Sequence, residues 1–278
     1  STFIKRFMNL MVLPNIEDEN DRNRANDELP QSSSGKTIMT TEPKFVPNEA
    51  VSIKTEEGIE LNVRLIDCVG YMVEGATGHM EGEGERLVKT PWFDYEIPFT
   101  KAAAIGTKKV ITEHSTIGMV VTCDGSFGEI AAKQYESAEE ETIKQLKALK
   151  KPFVVLLNTI HPYSESTKQL AAEKEEKYQT KVLPMNLEQM KKEDIYEILK
   201  SVLMEFPISS IGFYVPRWTE MLKKDHPLKM ELLQMARNVI TEKTTMKDIY
   251  DEQEKEYGVI GIEIEIIDSN FRYTYNKL

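Results

Sequence analysis

A chain of 278 residues is long enough for one large domain or two ordinary ones, with a sizeable buried core. Its formal net charge of -11, from 46 acidic and 35 basic residues, provides no general attraction for nucleic acid or an anionic membrane, although local basic patches stay open. Two cysteines, Cys68 and Cys123, and no apolar run approaching about 20 residues fit a cytosolic protein without a transmembrane helix.

Phe3, Ile4, Phe7, Met8 and Met11 recur at helical spacing after Ser1-Thr2, which predicts a helix ending near Pro14. The basic residues of this run lie inside an amphipathic pattern and not ahead of an apolar one, so it does not read as a signal peptide. There is no initiator Met, and residue 1 is expected not to be the natural start. From Glu17 to Pro47 the chain reads as a long charged loop. Within it Gly35-Lys36-Thr37 imitates the end of a phosphate-binding loop, but position 30, where the first glycine should stand, is Pro30. The segment before it cannot be a buried strand, and Pro43 and Pro47 interrupt the helix that should follow.

Val51 to Lys54, then Ile59, Leu61, Val63 and Leu65, alternate about Glu56-Glu57-Gly58, which predicts an antiparallel hairpin. Its second strand runs into Asp67-Cys68-Val69-Gly70. From Gly70 to Phe99 a glycine-rich stretch reads as a long loop or small excursion, of a length that is functional or disordered. Trp92 and Phe93 in it are either buried hinges or part of an interface. Thr100 is expected to cap a helix over residues 101–113. A strand over Ile117 to Val121 ends in Thr122-Cys123-Asp124-Gly125. A helix from Ala131 to Lys150 turns Ala138, Ile143, Leu146 and Leu149 inward. A strand (Phe153 to Asn158), a helix (Ser166 to Tyr178), a strand (Val182 to Asn186) and a helix (Asp194 to Phe206) follow, and Pro207 stops the last.

Strands alternating with helices predict an α/β fold with a mostly parallel sheet covered on both faces. The strand ends carrying Asp67 to Gly70, Thr122 to Gly125, Asn158-Thr159 and Asn186 should then converge on one edge, where ligands bind in such folds. Beyond Pro207 the pattern changes to helices near 217–224 and 228–241 and a strand near 259–267. The expected division is 1–207 and 208–278, the second part a portion of an α+β domain that need not be continuous in sequence.

Ser1 at a helix start, the pair Thr40-Thr41 in a loop before a hairpin, and Asp67 with Gly70 at a strand end form an ordered set. Phosphoryl-transfer enzymes need a hydroxyl and a strand-end carboxylate on Mg2+, and backbone donors near the γ-phosphate. If Ser1 is the serine of Gly-Lys-Ser, the lysine and the phosphate-cradling glycines precede residue 1. Asp67 has a competing reading as a turn cap, and the threonines as ordinary loop residues.

Four long segments carry a specific resemblance: residues 1–16, residues 27–50 (DELPQSSSGKTIMTTEPKFVPNEA), LIDCVGY at 65–71, and EHSTIGMVVTCDGSFGEIA at 113–131. The sequence resembles the stage IV sporulation protein A family, closely over 1–207 and more loosely to about residue 244. The resemblance implies a P-loop NTPase fold, similar to translation-factor-class GTPases, and an ATP hydrolase. It places Ser1 and Thr2 in the phosphate loop and makes Thr40 or Thr41, with Thr41 favoured, the γ-phosphate sensor. Asp67 and Gly70 then fall in the strand-end motif, and Asn158 and Asn186 at the base. Ser1, Thr41 and Asp67 would hold Mg2+. It further implies a homopolymer forming the basement layer of the spore coat, other coat morphogenetic proteins as partners, and a small amphipathic membrane-bound protein as anchor. The location implied is the mother-cell cytoplasm, peripheral on the outer forespore membrane. A GTP-dependent switch, and a scaffold with a degenerate nucleotide site, are the alternatives.

Asn158-Thr159-Ile160-His161 stands where a guanine-binding enzyme has Asn-Lys-x-Asp, and without that Asp guanine loses its acceptor. Tyr71 follows Gly70 where many GTPases place a water-positioning Gln, so slow intrinsic turnover is expected. Asn158 fixes its own loop or touches the base. Asp124-Gly125 reads first as a turn and second as a base contact. His79, His114, His161 and His226 have no metal-ligand spacing, and two thiols alone make no zinc site.

Overall fold

The computed structural model describes residues 1–30, 43–54, 60–82, 84–208, 210–214, 217–242, 245–250, 261–268 and 271–276. It divides into two units, Ser1–Ser201 and Val202–Leu278. In the first, the apolar face at the start of the chain forms α1 (Thr2–Phe7), which continues through a wide π-type turn at Met8–Val12 and a 3-10 turn at Leu13–Asn15 that contains Pro14. Phe3, Ile4, Phe7, Met8, Met11 and Val12 are buried, as their spacing requires.

The charged segment that follows is not all loop. Helix α2 (Glu19–Asp27) forms there, capped by Asp18, whose carboxylate accepts the Asp21 amide at 2.9 Å. Only Ala25 of this helix is buried, so there was no apolar periodicity to find. Strands β1 (Lys44–Lys54) and β2 (Glu60–Asp67) pair antiparallel with Val51 opposite Val63 and Ile53 opposite Leu61. β1 begins earlier than its alternation indicated. Pro47 sits within the irregularity between Val46 and Val51, where a strand tolerates a residue without an N–H. The decoy at Gly35 to Thr37 and the hairpin turn at Glu56 to Gly58 lie outside the described residues.

The glycine-rich excursion builds two small antiparallel pairs, β3 (Met80–Glu81) with β4 (Gly84–Glu85) and β5 (Leu87–Thr90) with β6 (Phe93–Pro98). Helix α3 (Phe99–Lys109) follows directly. Thr100 does not cap it. Pro98 holds the cap position, and the Thr100 amide and hydroxyl both donate to Glu85, so the excursion itself closes the helix N-terminus.

The apolar runs of β7 (Gly118–Cys123), β8 (Phe153–Asn158) and β9 (Val182–Met185) form a three-stranded parallel sheet in that order, alternating with α4 (Ala132–Ala148) and α5 (Glu165–Tyr178) and followed by α6 (Lys192–Met204). Val154 to Leu157 are fully buried, so both faces of β8 are covered. One core cluster joins Val120, Ile143, Leu146, Val155, Leu157 and Val182. At Gly118 a Cβ would stand 2.7 Å from Leu146, so the glycine lets α4 sit close on β7. Leu149 is exposed, contrary to the expected inward face; the inward row is Glu139, Ile143 and Leu146. Among the described residues the parallel part of the fold is this sheet, and β1–β2 is a separate antiparallel pair. Three of the four strand ends expected on one edge therefore share it, while Asp67 terminates the other sheet.

In the second unit, β10 (Ser210–Tyr214), β11 (Gly261–Asp268) and β12 (Phe271–Asn276) form an antiparallel sheet in that order. The helix expected at 217–224 is a 3-10 turn at Arg217–Met221; Pro227 then starts α7 (Pro227–Glu242), and its ring disfavours helical backbone at His226. A short α8 (Met246–Tyr250) completes it. Among the described residues no helix is long and apolar enough to cross a membrane.

Candidate functional site

Ser1 stands at the N-cap of α1, and its carbonyl accepts the Lys5 amide at 3.0 Å. Its hydroxyl donates to Asp67 Oδ2 at 2.7 Å, and its backbone nitrogen lies 3.4 Å from Oδ1. Asp67 is buried at the end of β2. Its hydrogen bonds among the described residues go to Ser1, across the fold, and not to the amides of the turn after it. A hydroxyl beside a buried carboxylate is a pair of hard oxygen donors. That suits Mg2+, which keeps several waters and takes one or two protein ligands, the rest coming from phosphate. No set of three or more His, Cys, Asp or Glu able to hold a metal occurs among the described residues, so a cation that depends on an all-protein cage is not supported there. Thr2 is the first residue of α1, next to this pair. Thr40 and Thr41 lie outside the described residues.

Gly70 adopts φ +83°, a left-handed conformation, and a Cβ there would meet nothing within 4 Å. Backbone conformation, not space, calls for glycine at this turn. Burial pushes the Cys68 thiol up, and Asp67 beside it adds to the shift. The Gly70 backbone offsets part of this. Cys68 is thus a neutral packing residue with no reactive thiolate. Burial also raises the Tyr71 phenol, which lies against Gln145 and Glu141 of α4. Tyr71 and Met72 line an open groove of about 510 Å3 with Thr100, Ala104, Ser137 and Lys144.

The ends of β7, β8 and β9 are level, with Cys123 beside Asn158 and Asn158 beside Met185. Asn158 Oδ1 accepts the Leu187 amide at 3.1 Å, and Asn186 Oδ1 accepts the Glu188 and Gln189 amides at 3.1 and 3.2 Å. Both asparagines therefore organise the loop after β9, with the Asn158 amide nitrogen left without a hydrogen bond among the described residues. Asp124 forms a turn, accepting the Ser126 amide at 2.9 Å, and Gly125 has φ +85° with a would-be Cβ 2.9 Å from the Ala132 nitrogen. Burial raises the Asp124 carboxyl, but hydrogen bonds from Ser126 and Thr159 outweigh it and the net shift is downward. Thr159 is wholly buried, and its hydroxyl donates to Asp124 Oδ2 at 2.6 Å. Sequence reasoning missed this contact because it read Asn158-Thr159-Ile160-His161 only for the acid it lacks. The available signal was a hydroxyl residue after each of two neighbouring strands.

The family model described as "Stage IV sporulation protein A, ATPase domain" matches residues 1–207, and "Stage IV sporulation protein A, middle domain" matches residues 208–268. Similar curated proteins, each named stage IV sporulation protein A, come from Bacillus anthracis (48% identical), Bacillus subtilis strain 168 (47%) and Clostridioides difficile strain 630 (51%). Each match spans 249 residues, 90% of this chain and 51% of the relative, so the chain spans about half the length of the relatives it matches. No solved structure matches.

Proposed function

Because this chain belongs to the stage IV sporulation protein A family, we propose that its first unit binds Mg-ATP and hydrolyses it at the site built on Ser1, Asp67 and Gly70. The observation that carries this reading is the 2.7 Å hydrogen bond between Ser1 Oγ and Asp67 Oδ2, which joins a helix N-terminus to a strand end. Ser1 and Asp67 would hold Mg2+, with Thr41 or Thr40 completing the set. The bound ion supplies charge neutralisation on the transferred phosphoryl group. The N-terminus of α1 adds a favourable dipole for phosphate, and the Gly70 turn presents backbone N–H groups near it. Asn158, Asn186 and the loops they organise would border the base.

Hydrolysis, in this proposal, drives self-assembly into a static homopolymer, the basement layer of the spore coat. The polymer lies on the mother-cell face of the outer forespore membrane. A small amphipathic membrane-bound protein anchors it, and other coat morphogenetic proteins join it. A net charge of -11 disfavours direct adhesion to anionic lipid, which supports a partner as anchor. Exposed Trp218, Met221, Leu228, Met230 and Leu233 in the second unit support an assembly surface there.

The test of nucleotide choice is titration of the full natural protein with ATP and with GTP in the presence of Mg2+. Preference for ATP is expected. A clear preference for GTP would replace this reading with a GTP-dependent switch, and binding of neither would replace it with a scaffold.

A further inference from the structure

The strand ends beside Asn158 are cross-linked through hydroxyl groups. Thr159 Oγ1 donates to Asp124 Oδ2 at 2.6 Å and accepts the His161 amide at 3.1 Å. Ser126 Oγ donates to Asp124 Oδ1 and accepts the Ile160 amide at 3.0 Å. The Ser126 amide adds a second donor to Oδ1 at 2.9 Å. The Asp124 amide reaches the Asn158 carbonyl at 3.4 Å, and the Thr159 amide reaches the Met185 carbonyl at 3.0 Å. Both oxygens of Asp124 and both amides of the Ile160-His161 turn are thereby engaged inside the rim.

A guanine base presents two adjacent donors, its ring N–H and its exocyclic amino group, and a fixed carboxylate is the acceptor that matches them. Asp124 is a carboxylate on that rim, but its oxygens are directed at Thr159 and Ser126. We propose that Thr159 is a specificity-determining positioning residue: by holding the Asp124 carboxylate within the rim, it withdraws an acceptor that guanine would use, leaving the edge selective for adenine. The inference rests on the nucleotide site proposed above. It assigns adenine preference to a positive feature of the chain, a filled carboxylate, in addition to the missing acid after Ile160. The Thr159 hydroxyl is the hydrogen-bond donor to Oδ2, whereas Oδ1 receives both the Ser126 hydroxyl and the Ser126 amide, so Thr159 carries the larger share.

The experiment compares the full natural protein with its Thr159→Val, Thr159→Ser and Ser126→Ala variants. Affinities for ATP and GTP are measured alongside amide exchange at Ile160 and His161. Thr159→Val should move the ATP-to-GTP affinity ratio toward GTP by roughly tenfold, the size expected when one polar partner at a recognition edge changes. Thr159→Ser should keep the original ratio. Ser126→Ala, at a partly exposed position, should shift it the same way by a smaller factor, so it carries the test if the valine variant does not fold. Faster exchange at His161 should accompany the Thr159→Val shift, and faster exchange at Ile160 the Ser126→Ala shift. An unchanged ratio in a folded, ATP-binding Thr159→Val protein overturns the inference and leaves the proposed site standing. Failure of the unmodified protein to bind either nucleotide overturns the site and the inference together.

Discussion

Gly70 and Gly125 show how two glycines of equal backbone conformation differ in what they tolerate. Both have φ near +85°, but a Cβ at Gly70 meets nothing, whereas one at Gly125 would press on the Ala132 nitrogen at 2.9 Å. Gly70→Ala should cost about 1–2 kcal/mol, the left-handed penalty alone. Gly125→Ala should cost more; equal urea-unfolding losses would contradict the steric difference. Asp124 gives a pH prediction. Its carboxyl is shifted downward in the fold, so the unfolded chain binds the proton more readily. The stabilisation is therefore present above the ordinary carboxylate range and lost as pH falls through the depressed value. Urea unfolding across acid pH should show a shallower acid loss in Asp124→Asn than in the parent, and parallel slopes would refute it. At this scale the sequence exposes residue types but not partners. Asp67 and Gly70 stood out by their strand-end spacing, while the Thr159–Asp124 contact spans 35 positions and is signalled only by hydroxyl residues after two neighbouring strands, which do not say who pairs with whom.

Helices α4 and α5 are joined by two ion pairs of equal length and unequal surroundings. Lys174 Nζ meets Glu139 at 2.6 Å with both side chains largely buried, and Lys177 Nζ meets Glu140 at 2.6 Å in the open. Burial and the neighbouring Glu139 push the Tyr178 phenol well above its usual range, which keeps its proton on the oxygen near that carboxylate. Lys174→Met strands a buried carboxylate and should cost about 3–5 kcal/mol. Lys177→Met should cost less than about 1 kcal/mol. Comparable losses in urea unfolding would show that burial does not separate the two pairs. Element existence was legible wherever an apolar period existed, as in β7, β8, β9 and α1. It failed for α2, which the Asp18 cap holds, and the starts of two expected elements were misplaced: β1 begins earlier through its pairing across Pro47, and α3 is closed at its start by Glu85 from another hairpin. On α4, Ile143 and Leu146 face inward as expected, but the row is completed by the charged Glu139 and not by Leu149.

Over the whole chain, long segments identify the family better than any single motif, and the alternation of apolar runs with helices gives the parallel sheet and its α/β character. What alternation cannot give is which strands join which sheet, so Asp67 was expected on the edge where β7 to β9 end. Assembly belongs to this scale too. Like charge opposes self-association at a net -11, so the assembly proposed above would need packed apolar contacts, for which the exposed residues of the second unit are suited. In sedimentation of the full natural protein, large species should form with ATP and should be absent without nucleotide or with Asp67→Ala. Equal assembly in all three would remove hydrolysis as its driver.

The proposed site depends most directly on Asp67, whose hydrogen bonds among the described residues go to Ser1. The measurement that addresses it is Mg2+-dependent ATP hydrolysis by the full natural protein and its Asp67→Ala variant, with circular dichroism confirming that both are folded. Turnover should fall by about 100-fold or more in the variant, in line with loss of a residue that would hold the ion neutralising transition-state charge. Turnover unchanged in a folded Asp67→Ala protein would return Asp67 to a structural role and contradict the account.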